Sequence, residues 1–418
     1  MTSFFEPENA QCDVAPLILC TADGHYSVDE STLAWIESHR GNFAVVACAG
    51  KYRTGKSFLL NRLAEARSGS GFGVGETVQA CTKGLWVYKK FFATDDPTKH
   101  ILLVDTEGID ALDADDTHDV RIFTLALLLS SVFLYNSVGA IDETAMQTLS
   151  LMTRVTNNVR VQNDVESSAA ELSEHMPTFY WVLRDFALKL TDRKGNPITT
   201  DEYLEEALQA TDPQRDHIRS AIRNAFPRRK LVTLPRPDQH LNNLEDRLFN
   251  IAPKFTQGIA DIRHRIFRDA RPLETQGKVL SAKMYSALCR HMTEVVQTNA
   301  VPVIRDSWSL MAAVQARDVR DDLIAQFCTT TDAMSKQPAH ILDEKLDTLR
   351  ADLMKAFDER AMPPIDAETR RVLGERLLTL AEQARVRLAK DLTEDVTAVM
   401  DSLENLIPRD VAGACTRL

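Results

Sequence analysis

An α/β domain built on a mainly parallel sheet flanked by helices, followed by an all-α helical domain, is the fold this sequence predicts, and three observations carry it. Apolar strand-like runs alternate with helical patterns up to about residue 272. The turn between one such strand and its helix, Gly50-Lys-Tyr-Arg-Thr-Gly-Lys56-Ser57, has the pattern G-x-x-x-x-G-K-[ST] of a phosphate-cradling P-loop. After residue 272 the strand signals stop and amphipathic helical stretches take over.

The elements follow in order. Val14–Cys20 reads as a short strand ending at a turn near Asp23-Gly24, and Asp29–Ser38 as a helix. Phe43–Cys48 is the strand entering the P-loop and Phe58–Leu63 continues into its helix; Ile101–Val104 is the next strand. Ile122–Ile141 carries no charge over 20 residues, the length of a membrane span. Ser130, Ser131, Tyr135, Asn136, Ser137 and Gly139 interrupt it, so it divides into a helix (Ile122–Leu129) and a buried strand (Ser131–Tyr135). A helix from Asp142 to about Asn158 and the strands Phe179–Leu183 and Lys230–Thr233 complete the α/β domain, set at residues 1–275. Gly277–Thr298, Val303–Ala316, Val319–Cys328, Ala339–Arg360 and Asp366–Leu406 make the helical domain, 276–418, with Pro363-Pro364 as its clearest break. There Leu342, Leu346, Leu349, Leu353 and Phe357, three and four residues apart, form one apolar stripe suited to a helical bundle.

Composition narrows the function classes. With 44% hydrophobic and 26% charged residues, the chain reads as an ordinary globular protein. A formal net charge of −11 argues against a nucleic-acid partner, which needs a basic surface. The one dense basic run, Arg228-Arg-Lys230, reads as a solvated strand entrance. Seven scattered cysteines, Cys12, Cys20, Cys48, Cys81, Cys289, Cys328 and Cys415, lack C-x-x-C spacing, which suggests thiols in a reducing compartment, the cytosol, and no zinc site. The N-terminus has no secretory pattern.

The chemistry gathers around the P-loop. Its glycines let consecutive backbone N–H groups from Gly50, Lys51, Tyr52, Arg53, Thr54, Gly55, Lys56, Ser57 and Phe58 turn toward a polyphosphate, helped by the positive end of the next helix. Lys56 offers a point charge to the β- and γ-phosphates, and Ser57 a hydroxyl to Mg²⁺. Asp105-Thr-Glu-Gly108 follows an apolar strand, where Asp105 would hold Mg²⁺ through water and the Gly108 N–H would face the γ-phosphate. Between them, Thr77–Trp86 contains Thr82, a second hydroxyl for the Mg²⁺ shell. No N-K-x-D tetrapeptide is present; instead Phe179–Leu183 runs into Arg184-Asp185. An aspartate there accepts from both N–H groups of a guanine edge, while arginine packs over a base plane.

Together, 50–57, Thr77-Val-Gln-Ala-Cys-Thr-Lys-Gly-Leu-Trp86, Asp105–Gly108, Leu127-Leu-Leu-Ser-Ser-Val-Phe-Leu-Tyr-Asn-Ser137 and Leu183-Arg-Asp-Phe186 resemble the guanylate-binding proteins, dynamin-related large GTPases that include the atlastin branch. The resemblance covers about residues 15–275 and continues more loosely across 277–328. It implies hydrolysis of GTP with Mg²⁺ to GDP, and in some members onward to GMP, by a protein that forms homodimers through its GTPase domains and moves its helical domain in response. It implies that Arg53 is an arginine finger within the P-loop, Thr82 the switch I threonine, Gln79 a neighbour of the phosphates, Glu107 the acid near the attacking water, and Arg184-Asp185 the guanine-reading pair. The stretch Pro237–Leu244 corresponds to the loop that covers the base and joins the dimer face. Ala80 departs from the family, since many members carry there a serine that helps place the attacking water; Ala80 and Lys51 leave open the rate and the second cleavage. Two alternatives therefore stay in view: a nucleotide-gated scaffold with little hydrolysis, and an atlastin-like membrane-remodelling GTPase, which needs a membrane anchor. Cys415-Thr-Arg-Leu418 has the cysteine position of a prenylation box, but Arg417 fits it poorly; any membrane association is expected to be peripheral. Relative to full-length relatives, the C-terminal helical effector region is expected to be missing or shortened.

Overall fold

The computed structural model describes residues 13–21, 23–67, 70–73, 84–106, 116–149, 159, 173–192, 194–209, 216–237, 252–275, 277–298, 300, 302–334 and 339–406. They fall in two compact units, Met1–Trp308 and Ser309–Leu418.

The first unit holds, among the described residues, a nine-stranded sheet. Its strands are β1 (Val14–Cys20), β2 (Tyr26–Val28), β3 (Asn42–Ala49), β4 (Leu85–Tyr88), β5 (Phe92–Ala93), β6 (Lys99–Thr106), β7 (Val132–Val138), β8 (Thr178–Arg184) and β9 (Arg229–Thr233). In space β6, β3, β7, β8 and β9 lie side by side and parallel. On the β6 side, β4, β1 and β2 extend the sheet by antiparallel pairing, and β5 also pairs with β6. A parallel ladder covered on both faces demands strands that are apolar throughout, and β3 is buried at every position after Asn42.

Helices α1 (Glu30–Glu37), α2 (Lys56–Leu63), α3 (Asp116–Leu128), α4 (Glu143–Thr148), α5 (Thr200–Ala207), α6 (Asp216–Ala225), α7 (Pro253–Asp269) and α8 (Ala282–Gln297) belong to this unit. On one face of the sheet α2 and α7 bury Leu59, Leu63, Phe255 and Ile266 against Val46, Leu103, Leu134 and Val182. On the other, Phe123 of α3 meets Phe133 at 5.0 Å and Phe226 meets Phe179 at 5.0 Å. The uncharged stretch 122–141 is thus the end of α3 followed by β7, which lies between β3 and β8. Among the described residues no helix is long and apolar enough to cross a membrane.

Several elements escaped the sequence reading. Strand β4 takes Leu85 and Trp86 out of the expected loop 77–86, and β2, β4 and β5 are too short to show alternation. Helices α5 and α7 carry signals that deserved more weight: a reciprocal Thr199–Glu202 capping box and Pro253 in the first turn. The two-residue strands β10 (Glu274–Thr275) and β11 (Lys278–Val279) pair just after the point where strands were expected to stop. The helix expected over 142–158 is α4 as far as Thr148, with 150–158 outside the described residues. The basic run enters β9, with Arg229 paired to Glu205 at 2.6 Å. Cys20, Cys48, Cys289 and Cys328 form no disulfide; the other three cysteines lie outside the described residues.

Helix α8 packs with the α/β part: Tyr285 sits edge-on to Phe43 at 5.5 Å, and Arg290 reaches Glu30 and Glu37 at 2.7 and 3.1 Å. The change from strands to helices near 275 and the division between compact units at Trp308 are therefore different boundaries. Val303–Ala316 and Val319–Cys328 are one helix, α9 (Ile304–Asp332), because no glycine or proline separates them. In the second unit α10 (Ala339–Arg360) and α11 (Ala367–Leu406) join the rest of α9 around Leu323, Phe327, Leu346, Phe357, Leu373 and Leu377. Arg360–Asp322 and Arg387–Asp332 pairs at 3.2 and 2.7 Å lie on its surface.

Candidate functional site

The carboxyl ends of β3, β6, β7 and β8 meet on one edge of the sheet, where open α/β sheets place their ligands. From β3 the P-loop leaves at Gly50, where a Cβ would stand 2.1 Å from the Asn136 backbone oxygen. Only glycine fits that approach. Gly55, at φ 79°, opens α2 as an N-cap without a side-chain hydrogen bond. The first-turn N–H groups are therefore not capped by a side chain there, the arrangement that suits an anion. Within the loop, the Lys51 carbonyl accepts from Thr54 Oγ1 at 2.8 Å and Lys56 Nζ at 3.2 Å. Arg53 is exposed, in the left-handed region at φ 64°, with its guanidinium 5.5 Å from the Tyr52 ring centroid.

Asp105, one residue before the end of β6, lies opposite Cys48 of β3. Its Oδ2 accepts from Ser57 Oγ at 2.5 Å and its Oδ1 from the Thr106 N–H at 3.0 Å, while Thr106 Oγ1 donates to the Cys48 carbonyl at 2.9 Å. Complete burial pushes the Asp105 carboxyl up to about 6, against the pull of Lys56 and the bonds from Ser57 and Thr106. A buried carboxylate joined to a hydroxyl is a set of hard oxygen donors, and it fits Mg²⁺ held by Ser57 with Asp105 behind it.

The next two strands contribute from behind the loop. Asn136, fully buried near the end of β7, donates from Nδ2 to the Thr54 carbonyl at 2.9 Å. Arg184, only 6% exposed at the end of β8, donates from Nη1 to the Gly55 carbonyl at 3.2 Å. Its guanidinium lies over the rings of Phe58 and Phe255, 5.3 and 5.6 Å from their centroids. The sequence reading places Arg184 over a base plane; the contacts seen here are with the loop and two rings. The side chain turns inward because a carbonyl and two aromatic faces await it there. Asp185, the next residue, is exposed and left-handed at φ 55°. The Arg184 carbonyl accepts from the Gly139 N–H at 2.8 Å and the Phe186 N–H donates to the Leu234 carbonyl at 2.9 Å, so the reversal is pinned on both sides.

The structure thus brings together Gly50 to Phe58, Asp105 and Arg184, and presents Asp185 at the end of the adjoining strand. Gln79, Ala80, Thr82, Glu107, Gly108 and residues 238–244 lie outside the described residues. Asn136 and Thr106 had no assigned role in the sequence reading. The signal for Asn136 was a lone amide near the end of an otherwise apolar strand.

The profile of the guanylate-binding protein N-terminal domain matches residues 23–275, more than half of the chain. The chain belongs to the guanylate-binding protein family. Guanylate-binding protein 1 of Homo sapiens is 34% identical over 337 residues, which is 75% of this chain and 55% of that protein. Guanylate-binding protein 2 of Mus musculus is 31% identical over 371 residues, 84% of this chain and 62% of the relative. Guanylate-binding protein 2 of Homo sapiens is 28% identical over 411 residues, 93% of this chain and 68% of its own length. The chain therefore spans between 55% and 68% of these guanylate-binding proteins.

Proposed function

We propose that the chain binds GTP and hydrolyses it to GDP. The observation that carries this is the Ser57–Asp105 pair, which couples the P-loop helix to the end of β6 beneath a loop whose backbone is open to a polyphosphate. Membership of the guanylate-binding family supports guanine as the base.

In this reading the N–H groups of the P-loop and of the α2 terminus bind the phosphate oxygens, and Lys56 adds a point charge at the β- and γ-phosphates. Ser57 and Thr82 would hold Mg²⁺, with Asp105 behind a water, and the ion would supply charge neutralisation at the phosphates. Asp185 accepts from N1–H and the 2-amino group of guanine. Arg53 swings onto the phosphates when two nucleotide faces meet in a homodimer, stabilising the charge that spreads over the transferred group as water attacks in line. Glu107 orders that water's surroundings, the Gly108 N–H faces the γ-phosphate, Gln79 lies near the phosphates, and 237–244 covers the base. We further propose that residues 1–275 act as the GTPase domain, that 276–418 move in response to turnover, and that formation of GMP depends on how the loop copes without a hydroxyl at Ala80.

Chromatography of products after incubation with GTP, over a range of protein concentrations and with Lys56→Ala as control, tests this. GDP should form, faster per molecule as concentration rises, and the variant should form none. Binding without turnover would instead support a nucleotide-gated scaffold, and turnover by the Lys56 variant would remove the assignment.

A further inference from the structure

Neighbouring strands grip the P-loop through its carbonyls. In a planar trans peptide the C=O and the following N–H point in opposite directions. The Thr54 carbonyl and the Gly55 N–H belong to one peptide, and the Gly55 carbonyl and the Lys56 N–H to the next. Asn136 Nδ2 holds the first carbonyl at 2.9 Å; the second accepts the first helical bond of α2 from the Leu59 N–H at 2.9 Å and a further one from Arg184 Nη1 at 3.2 Å. With each carbonyl held from one side, the N–H of the same peptide is turned to the other.

We propose that Asn136 and Arg184 are positioning residues that aim the Gly55 and Lys56 N–H groups at the ligand's phosphates, so that Arg184 serves the phosphates and not the base. The proposal rests on the nucleotide-binding reading only in that the ligand carries a polyphosphate.

Three further observations agree. Asn136 grips the loop twice, since its backbone oxygen fills the place of a Cβ on Gly50 while its amide holds Thr54. Arg184 is held by the Phe58 and Phe255 rings on its guanidinium and by the Gly139 N–H on its backbone carbonyl. Among the described residues, Asn136 Oδ1 and Arg184 Nε are buried without a hydrogen-bond partner. An aliphatic residue would avoid that desolvation cost, so what each position retains is its donor. Asp185, the next residue, is exposed where Arg184 is buried, so the two side chains meet different surroundings.

The test is calorimetric titration of the full chain with inorganic tripolyphosphate, GDP and IDP, which lacks the 2-amino group. Asn136→Ala and Arg184→Ala should each weaken tripolyphosphate and GDP by a common factor of about tenfold, about 1.4 kcal/mol, with the GDP-to-IDP preference unchanged. Arg184→Lys, which keeps the charge but not the planar fork, should fall between them and the wild type. Asp185→Asn should do the reverse, losing base preference while keeping tripolyphosphate. An Arg184→Ala protein that loses GDP but not tripolyphosphate overturns the proposal, as do folded variants that bind both ligands as the wild type does. If the alanine variants do not fold, Arg184→Lys decides: a changed GDP-to-IDP preference overturns the proposal. Should the wild type bind tripolyphosphate without preferring guanine, the GTP reading falls and the positioning role stands. Should it bind neither, both fall.

Discussion

The two compact units bury different kinds of residue. At the strand ends of the first, Lys56, Asp105, Asn136 and Arg184 are each 6% exposed or less. In the second, the buried polar residues among those described are Thr331 and Thr369, hydroxyls that bond to the Cys328 carbonyl and to Asp366 within a few residues. Its arginines stay on the rim, as in the Arg370–Asp358 and Arg385–Asp343 pairs at 2.6 Å each. Burying charge costs stability that apolar packing would not. The helical unit shows what this chain builds when packing alone decides, and the α/β unit shows where a ligand's needs override it.

Four changes would break or sharpen that contrast. Arg53→Ala should slow single-turnover GTP hydrolysis by about 10³–10⁵, the range for arginine fingers, with nucleotide affinity kept; equal turnover would remove the finger. Phe357→Ala opens the centre of the helical core and should cost that unit about 3–5 kcal/mol in denaturant unfolding, with GDP affinity retained. A parallel loss of affinity would mean that the units are not energetically separate.

The third change concerns pH. Burial raises the folded-state pKa of Asp105 to about 6 from 3.8, so the neutral form is favoured by folding. Its destabilising effect is absent below the lower value, grows as pH rises through that window, and is constant above it, on the order of 3 kcal/mol. In EDTA, the melting temperature of Asp105→Asn should therefore gain on the wild type between about pH 4 and 6 and hold that gain above. A pH-independent difference would show that the carboxyl is not destabilised in the fold. Smallest of all, Arg371→Ala removes an exposed arginine bonded to Glu368 and Glu375 at 2.6 and 2.5 Å and should leave the melting temperature unchanged. A clear drop would show that surface pairs help hold the helical unit.

Legibility in the sequence followed chain locality. The P-loop, β3, β6, β7 and the long helices announce themselves because each signal lies within one run of residues, and α10 has the bounds that its periodicity predicts. Ser57, Lys56 and Asp105 were likewise legible, since their residue types leave few other uses. The contacts of Arg184 were not legible, for a physical reason: Gly55 lies 129 positions away and Phe255 on another helix, so no local pattern reveals that a carbonyl and two rings wait behind the strand. The same holds for Asn136, whose partner Thr54 is 82 positions earlier. The left-handed turn at Asp185 is likewise flanked by bonds to Gly139 and Leu234 from neighbouring segments.

The central place of β7 bears on how the chain is made. One neighbour, β3, precedes it in the sequence, but the other, β8, begins some 37 residues after Ile141. During synthesis at about 5–20 residues per second, that edge of β7 stays uncovered for roughly 2–7 s. The middle of the sheet is therefore completed only after a later part of the chain has been made.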